Sequence, residues 1–157
     1  MALDPSARES NVRDSVKRFF VDNIERTERI PVTFDVELST PKIQGVEVDR
    51  WISVIFGSLD TEFLSTQMLD VYCCSKKDSE GFKLAQLRDT VMGYLSDTTA
   101  TDGMKRIPFY RSYPNLSDWT LLGAMLVQEV LESSEQEGPD KTKYKLITCK
   151  LRFPSKI

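Results

Sequence analysis

Two segments of helical period, each followed by three segments of strand period, constrain this chain most. Helices kept apart from runs of strands argue against the β-α-β units of a doubly wound sheet. They predict an α+β domain, with two helices packed on a mostly antiparallel sheet, in the order α-β-β-β-α-β-β-β.

The first helical segment opens at Asp4-Pro5-Ser6. Asp or Ser can cap the free amides there, and Pro suits a first turn. Ser6 with Glu9 fits a capping box. Val12, Val16, Phe19 and Phe20 share one face, extended by Ile24. Ile30 precedes Pro31, which biases it away from helix and predicts an end by Arg29. The second helix is expected to start around Asp78-Ser79-Glu80, with Leu84, Leu87, Val91, Tyr94 and Leu95 as its stripe. Gly81 and Gly93 weaken it by about 1 kcal/mol each relative to Ala.

Between the helices, Val32, Phe34, Val36 and Leu38 alternate with polar residues, as in a half-buried strand. Trp51 to Phe56 is nearly unbroken apolar sequence, which predicts a central strand covered on both faces. Met68 to Cys74 makes a third strand. After the second helix, Met104 to Arg111 contains Pro108, which restricts it to an edge strand or a loop. Trp119 to Leu131 and Lys143 to Phe153 read as a closing hairpin. Its connection carries no apolar residue and is expected to be a mobile arm.

The 157 residues fit one domain, 1–157, with polar arms at about 39–50, 97–118 and 132–143. Lys plus Arg is 21 and Asp plus Glu is 24, a net charge of -3 that argues against a generally basic nucleic-acid binder. There is no histidine, which excludes Ser-His and Cys-His nucleophile pairs and His-containing zinc sites within this chain. Cys73, Cys74 and Cys149 read as reduced thiols in or beside a core; in a strand, adjacent Cys73 and Cys74 point to opposite faces. Met1 to Glu9 lacks the apolar core of a secretory signal, and no run approaches the ~18–20 apolar residues of a membrane span. A soluble protein, without a membrane partner, is expected.

The motifs of catalysis fail one after another. There is no P-loop, no GxGxxG, no CxxC pair and no GxSxG elbow. Asp60, Glu62 and Asp70 are the carboxylates closest to a constellation, and they also suit solvated turns and a strand's wet face. Lys105, Arg106 and Arg111 flank Phe109, Tyr110 and Tyr113, a pattern open to three readings. It suits nucleic-acid stacking, a charged edge strand, or a contact surface for a protein. Ile43 and Val46 lie in a polar arm without evident partners in the chain. No enzyme, cofactor or metal is expected, and long excursions without a site signature suggest an assembly subunit.

Three features are shared with one family. An amphipathic helix opens the chain. Leu69-Asp70-Val71-Tyr72-Cys73-Cys74 leads through Ser75-Lys76-Lys77-Asp78-Ser79-Glu80-Gly81 into the second helix, and a polar-tipped hairpin ends in the alternating strand 144–153. In this order the chain resembles the phage tail terminator (tail completion) proteins of the long-tailed phages. The resemblance implies a homo-hexameric ring that caps the tail tube and connects it to the head or neck. It implies a tail tube protein and a head-tail connector or neck protein as partners. DNA would pass through the ring without specific binding, and the protein would reside in the virion tail or neck after assembly in the host cytoplasm. A neck or head-tail connector subunit is the alternative. A small enzyme or ligand-binding module using Asp60, Glu62 or Asp70 is a third. Interface contributors are expected at Ile43, Val46, Arg106, Phe109 and Arg111. Asp at Ile43 or Phe109 should leave the monomer folded and abolish the ring. The Pro108 segment is expected to leave an edge open for strand addition between neighbours.

Overall fold

A computed structural model describes residues 9–35, 42–43, 46–60, 64–78, 80–112, 119–139 and 141–154. Helix α1 (Glu9–Phe20) runs into a π-helical stretch, Val21–Thr27, and ends where Pro31 requires. β1 (Val32–Phe34) follows, then a two-residue ladder of β2 (Lys42–Ile43) with β3 (Val46–Glu47). The long strands β4 (Arg50–Asp60) and β5 (Leu64–Ser75) lead to helix α2 (Phe82–Leu95). β6 (Arg106–Arg111), β7 (Thr120–Glu132), the short β8 (Gln136–Glu137) and β9 (Lys143–Pro154) complete the chain. The class is α+β, in the expected order, with β2, β3 and β8 as short additions.

Among the described residues, seven strands form one sheet in the order β1-β4-β5-β9-β7-β6, with β8 paired to β9. Its ladders are antiparallel except β1 with β4, where Val32 to Phe34 run parallel to Ile52 to Val54. That exception accounts for the first polar arm. Parallel neighbours cannot be joined by a hairpin, so the chain needs a dozen or more residues to return. Segment 35–49 supplies them. Its length therefore follows from sheet geometry and needs no external partner.

β5 shows the physics of the sheet most cleanly. Ser65, Gln67, Leu69, Val71 and Cys73 are buried, while Thr66, Met68, Asp70 and Tyr72 are half-buried. The buried set lies level with Ile52, Val54 and Phe56 of β4 and with Ile147, Cys149 and Leu151 of β9. This face meets Val12, Val16, Phe20 and Ile24 of the first helical arm and Leu84, Leu87, Val91 and Leu95 of α2 in one core. Trp51 to Val54 are all buried, as expected of a central strand. Cys73 and Cys74 are buried at successive positions, which places them on opposite faces.

The start of α2 is held by a carboxylate. Asp78 accepts the Leu84 amide at 2.9 Å and the Ser75 hydroxyl at 3.1 Å. Gly81 makes the turn between them at φ 74°, and a Cβ there would meet the Glu135 carboxylate at 2.8 Å. Burial alone would raise the Asp78 pKa; the amides of Leu84, Lys83 and Phe82 and the Ser75 hydroxyl outweigh it and hold it below its ordinary value. A depressed native pKa means that the unfolded chain binds the proton first. Asp78 therefore stabilises the fold above about pH 4, and that contribution disappears as pH falls through its native pKa. Asp78→Ala should cost about 1–2 kcal/mol at neutral pH. Urea unfolding of both proteins at pH 7 and at pH 3 checks this, because the gap should shrink in acid.

The polar connection after β7 is not a free arm throughout. Gln136 and Glu137 pair with Tyr144 and Lys143, and Glu132 reaches α2 through an ion pair with Arg88. The Arg88 hydrogen bond holds the Glu132 carboxyl below its ordinary range.

Candidate functional site

The edge of the sheet beside α1 is built by two small polar residues in the helix stripe. Asn11 and Ser15 are buried among apolar neighbours, one turn apart. The Tyr110 amide donates to Ser15 Oγ at 2.9 Å, and Ser15 Oγ donates to the Tyr110 carbonyl at 3.4 Å. The Ser112 amide donates to Asn11 Oδ1 at 3.1 Å. These are the backbone groups that an edge strand leaves open. Pro108 has the same parity as Tyr110, so its missing donor falls on the open side, where no ladder bond is lost. α1 covers the 110–112 end of this edge, while Arg106 and Pro108 border the groove described next.

Beside that capped edge, α1, the π-helical stretch and β6 enclose a groove of about 230 Å³. Phe19, Pro108 and Tyr110 supply apolar lining; Arg18, Lys105 and Arg106 supply charge. An adjoining hollow shares Arg18 and Asp22 and adds Asp14, Lys17, Arg26 and Trp119. Arg18 is the centre of the site. Its guanidinium lies 4.4 Å from the Tyr110 ring centroid and 5.4 Å from that of Trp119. Both contacts are in the range of cation–π attraction. Asp22 sits between two arginines, 3.7 Å from Arg18 Nε and 3.1 Å from Arg26 Nη1. The π-helical turn carries both Asp22 and Asn23 to the wall, and such turns often coincide with functional positions.

Of the residues expected at an interface, Arg106 is exposed on the groove rim and pairs with Asp102 at 3.3 Å. Arg111 is half-buried, and its Nε is enclosed without an acceptor among the described residues. Phe109 is corrected: it is 3% exposed, its ring centroid 5.1 Å from that of Phe153, and it belongs to the core. β6 turns it inward because alternation gives 107 and 109 to the core face and 106 and 108 to solvent. Ile43 and Val46 are opposite each other in the β2–β3 ladder, and their side chains lie outside the described residues. So do Tyr113 and Glu62.

Asp60 and Asp70 do not converge. Asp60 lies level with Thr66, and Asp70 is four positions further along β5, roughly 13 Å away. Asp70 accepts the Thr148 hydroxyl at 3.0 Å. Burial pushes the thiols of Cys73, Cys74 and Cys149 up to about 12. As buried thiols, these groups are poor nucleophiles at neutral pH. Among the described residues, no group of three His, Cys, Asp or Glu side chains could hold a metal ion. No described helix is long and apolar enough to cross a membrane.

Comparison with known proteins adds a likeness of fold. One solved structure superposes on 91% of this chain and 98% of its own, with a TM-score of 0.54 at 9% sequence identity. No protein-family model matches the chain, and no curated protein sequence does.

Proposed function

We propose that this protein is a structural subunit of a phage tail terminator, working as a ring on the end of the tail tube and toward the neck. Its work is contact between surfaces, without chemistry on a substrate. The observation that carries this reading is the display of apolar side chains along β7. Leu121 is 62% exposed, Leu131 is 66% exposed, and Leu122 is also open to solvent. Single exposed leucines are ordinary, but Leu121 lies level with Tyr110, with Leu122 next to it, beside a groove lined by Arg, Tyr and Trp, and that has the make-up of a protein contact.

The test is the mass of the purified chain across a concentration series, followed by electron microscopy of tail tubes grown with and without it. A closed ring at about six times the 18.0 kDa monomer mass, and tubes of fixed length only in its presence, are expected. Tubes that grow equally long with and without the protein would overturn the assignment to a tube end.

A further inference from the structure

We infer that the groove between α1 and β6 takes an acidic side chain carried on an extended, partly apolar segment of a partner protein, with Arg18 as its anchor. The inference goes beyond the ring reading and does not depend on it.

Arg18 is held in place with its donors uncommitted. The rings of Tyr110 and Trp119 lie against its guanidinium and restrict where it can move. Its N–H groups make no hydrogen bond among the described residues. The near carboxylate, Asp22, stands 3.7 Å from Arg18 Nε and accepts from Arg26 instead, at 3.1 Å. The Arg18 side chain is 44% exposed, so a partner can reach it. A guanidinium in this state presents the two-pronged donor set that fits a carboxylate. The surrounding carboxylates do not compete for it. Asp14 accepts the Ser112 hydroxyl at 2.7 Å, and Asp102 pairs with Arg106 on the rim. Lys17 and Lys105 add positive charge to the two walls.

The backbone of β6 says what carries the carboxylate. The Val127 amide donates to the Lys105 carbonyl at 3.0 Å, so Lys105, Ile107 and Phe109 turn their backbone groups to β7. Arg106 and Pro108 turn theirs the other way, toward the groove that both residues line, as Tyr110 does where it meets Ser15. The Arg106 amide and the carbonyls of Arg106 and Pro108 can therefore pair with an extended chain. Phe19, Pro108 and Tyr110 give that chain apolar contacts, and Leu121 and Leu122 are exposed beside them. The groove, about 230 Å³, is smaller than the roughly 300–1,000 Å³ of small-molecule sites, and suits one side chain. A nucleic-acid strand would bring successive phosphates against Asp14 and Asp22 and leave the apolar lining unburied. One carboxylate on an apolar segment needs only Arg18 and covers the lining.

The experiment titrates the full chain into a fluorescein-labelled peptide that alternates Glu with Leu and Phe, followed by anisotropy at about 50 and about 500 mM NaCl. The comparison probes are the same peptide with Gln for Glu, the same peptide with Ser for Leu and Phe, and an oligothymidylate of equal length. The Glu peptide should bind, more weakly at high salt, and each peptide control should bind about tenfold more weakly or not at all. Arg18→Ala should weaken the Glu peptide by about tenfold or more, and Arg18→Lys nearly as much, because lysine keeps the charge and loses the fork. Lys105→Glu with Arg106→Glu should weaken it as well. Circular dichroism establishes that each variant is folded. No binding of the Glu peptide, equal binding of the Gln peptide, or binding that Arg18→Ala leaves unchanged would each overturn the proposal. An oligothymidylate that binds more tightly than the peptide, and is lost in Arg18→Ala, would give the groove to nucleic acid, against the proposal. Self-association that Arg18→Ala abolishes, in a chain that binds no peptide, would give it to a second copy and overturn the proposal too. None of these outcomes bears on whether tubes end at this protein, which the tube-length measurement decides separately.

Discussion

Phe109→Ala should destabilise the fold by about 3–5 kcal/mol, and Phe109→Asp should leave most of the chain unfolded at room temperature. The side chain is 3% exposed and packs against Phe153, whose strand β9 sits in the middle of the sheet. Truncation removes that contact and leaves a cavity that neighbours fill only in part. A carboxylate at the same place must be desolvated or protonated, and either cost is comparable to the whole net stability of a domain, about 5–15 kcal/mol. Urea titration followed by fluorescence of Trp51 and Trp119 measures both variants. A folded Phe109→Asp monomer with the wild-type midpoint would show that β6 is not part of the cooperative core. The substitution is therefore useless as a probe of assembly, whereas changes at Lys105 and Arg106 leave the core intact.

The second large effect is expected from removing the helix cap on the sheet edge. Asn11→Ala together with Ser15→Ala takes away the acceptors of the Ser112 and Tyr110 amides. A buried donor left unpaired costs about 1–3 kcal/mol. The pair should cost about 2–5 kcal/mol, with some coupling, since both act on one strand. Hydrogen exchange gives the specific signature: the amides of Tyr110 and Ser112 should lose protection more than those of β5. An uncovered edge also invites pairing with other chains, so the double variant should aggregate at concentrations where the wild type stays clear. Unchanged protection at both amides would mean that the helix packs without capping the edge.

Much of the fold was readable from local pattern. The 3.6-residue stripe from Val12 to Ile24 and the two-residue alternation of β5 and β9 each reflect which face of a single element turns away from water. Pro31 and Pro108 marked a helix end and an edge strand, because a ring on nitrogen has the same consequence in any fold. The polar hairpin connection and the basic aromatic stretch at 105–111 were visible as composition. Their uses were not. The charged and aromatic neighbours of Phe109 suggest a contact residue, whereas alternation along β6 turns its ring into the core.

Arg18 carries no mark of its role in the sequence. On the helix it looks like any solvated cation. Tyr110 and Trp119, which flank it, are some 90–100 residues away in sequence, and no spacing rule reaches so far. The π-helical turn that presents Asp22 also has no marker in Val21–Thr27.

The residues alone settled the element types, their order and the absence of histidine chemistry, since periodicity, caps and composition belong to short segments or to the chain as a list. Tertiary structure alone decided that β1 runs parallel to β4, that α1 caps the 110–112 end of the β6 edge, and that cations some 80–90 residues apart in sequence share one groove. Those are relations between distant segments, set by which faces bury together, and they have no counterpart in any local window of sequence.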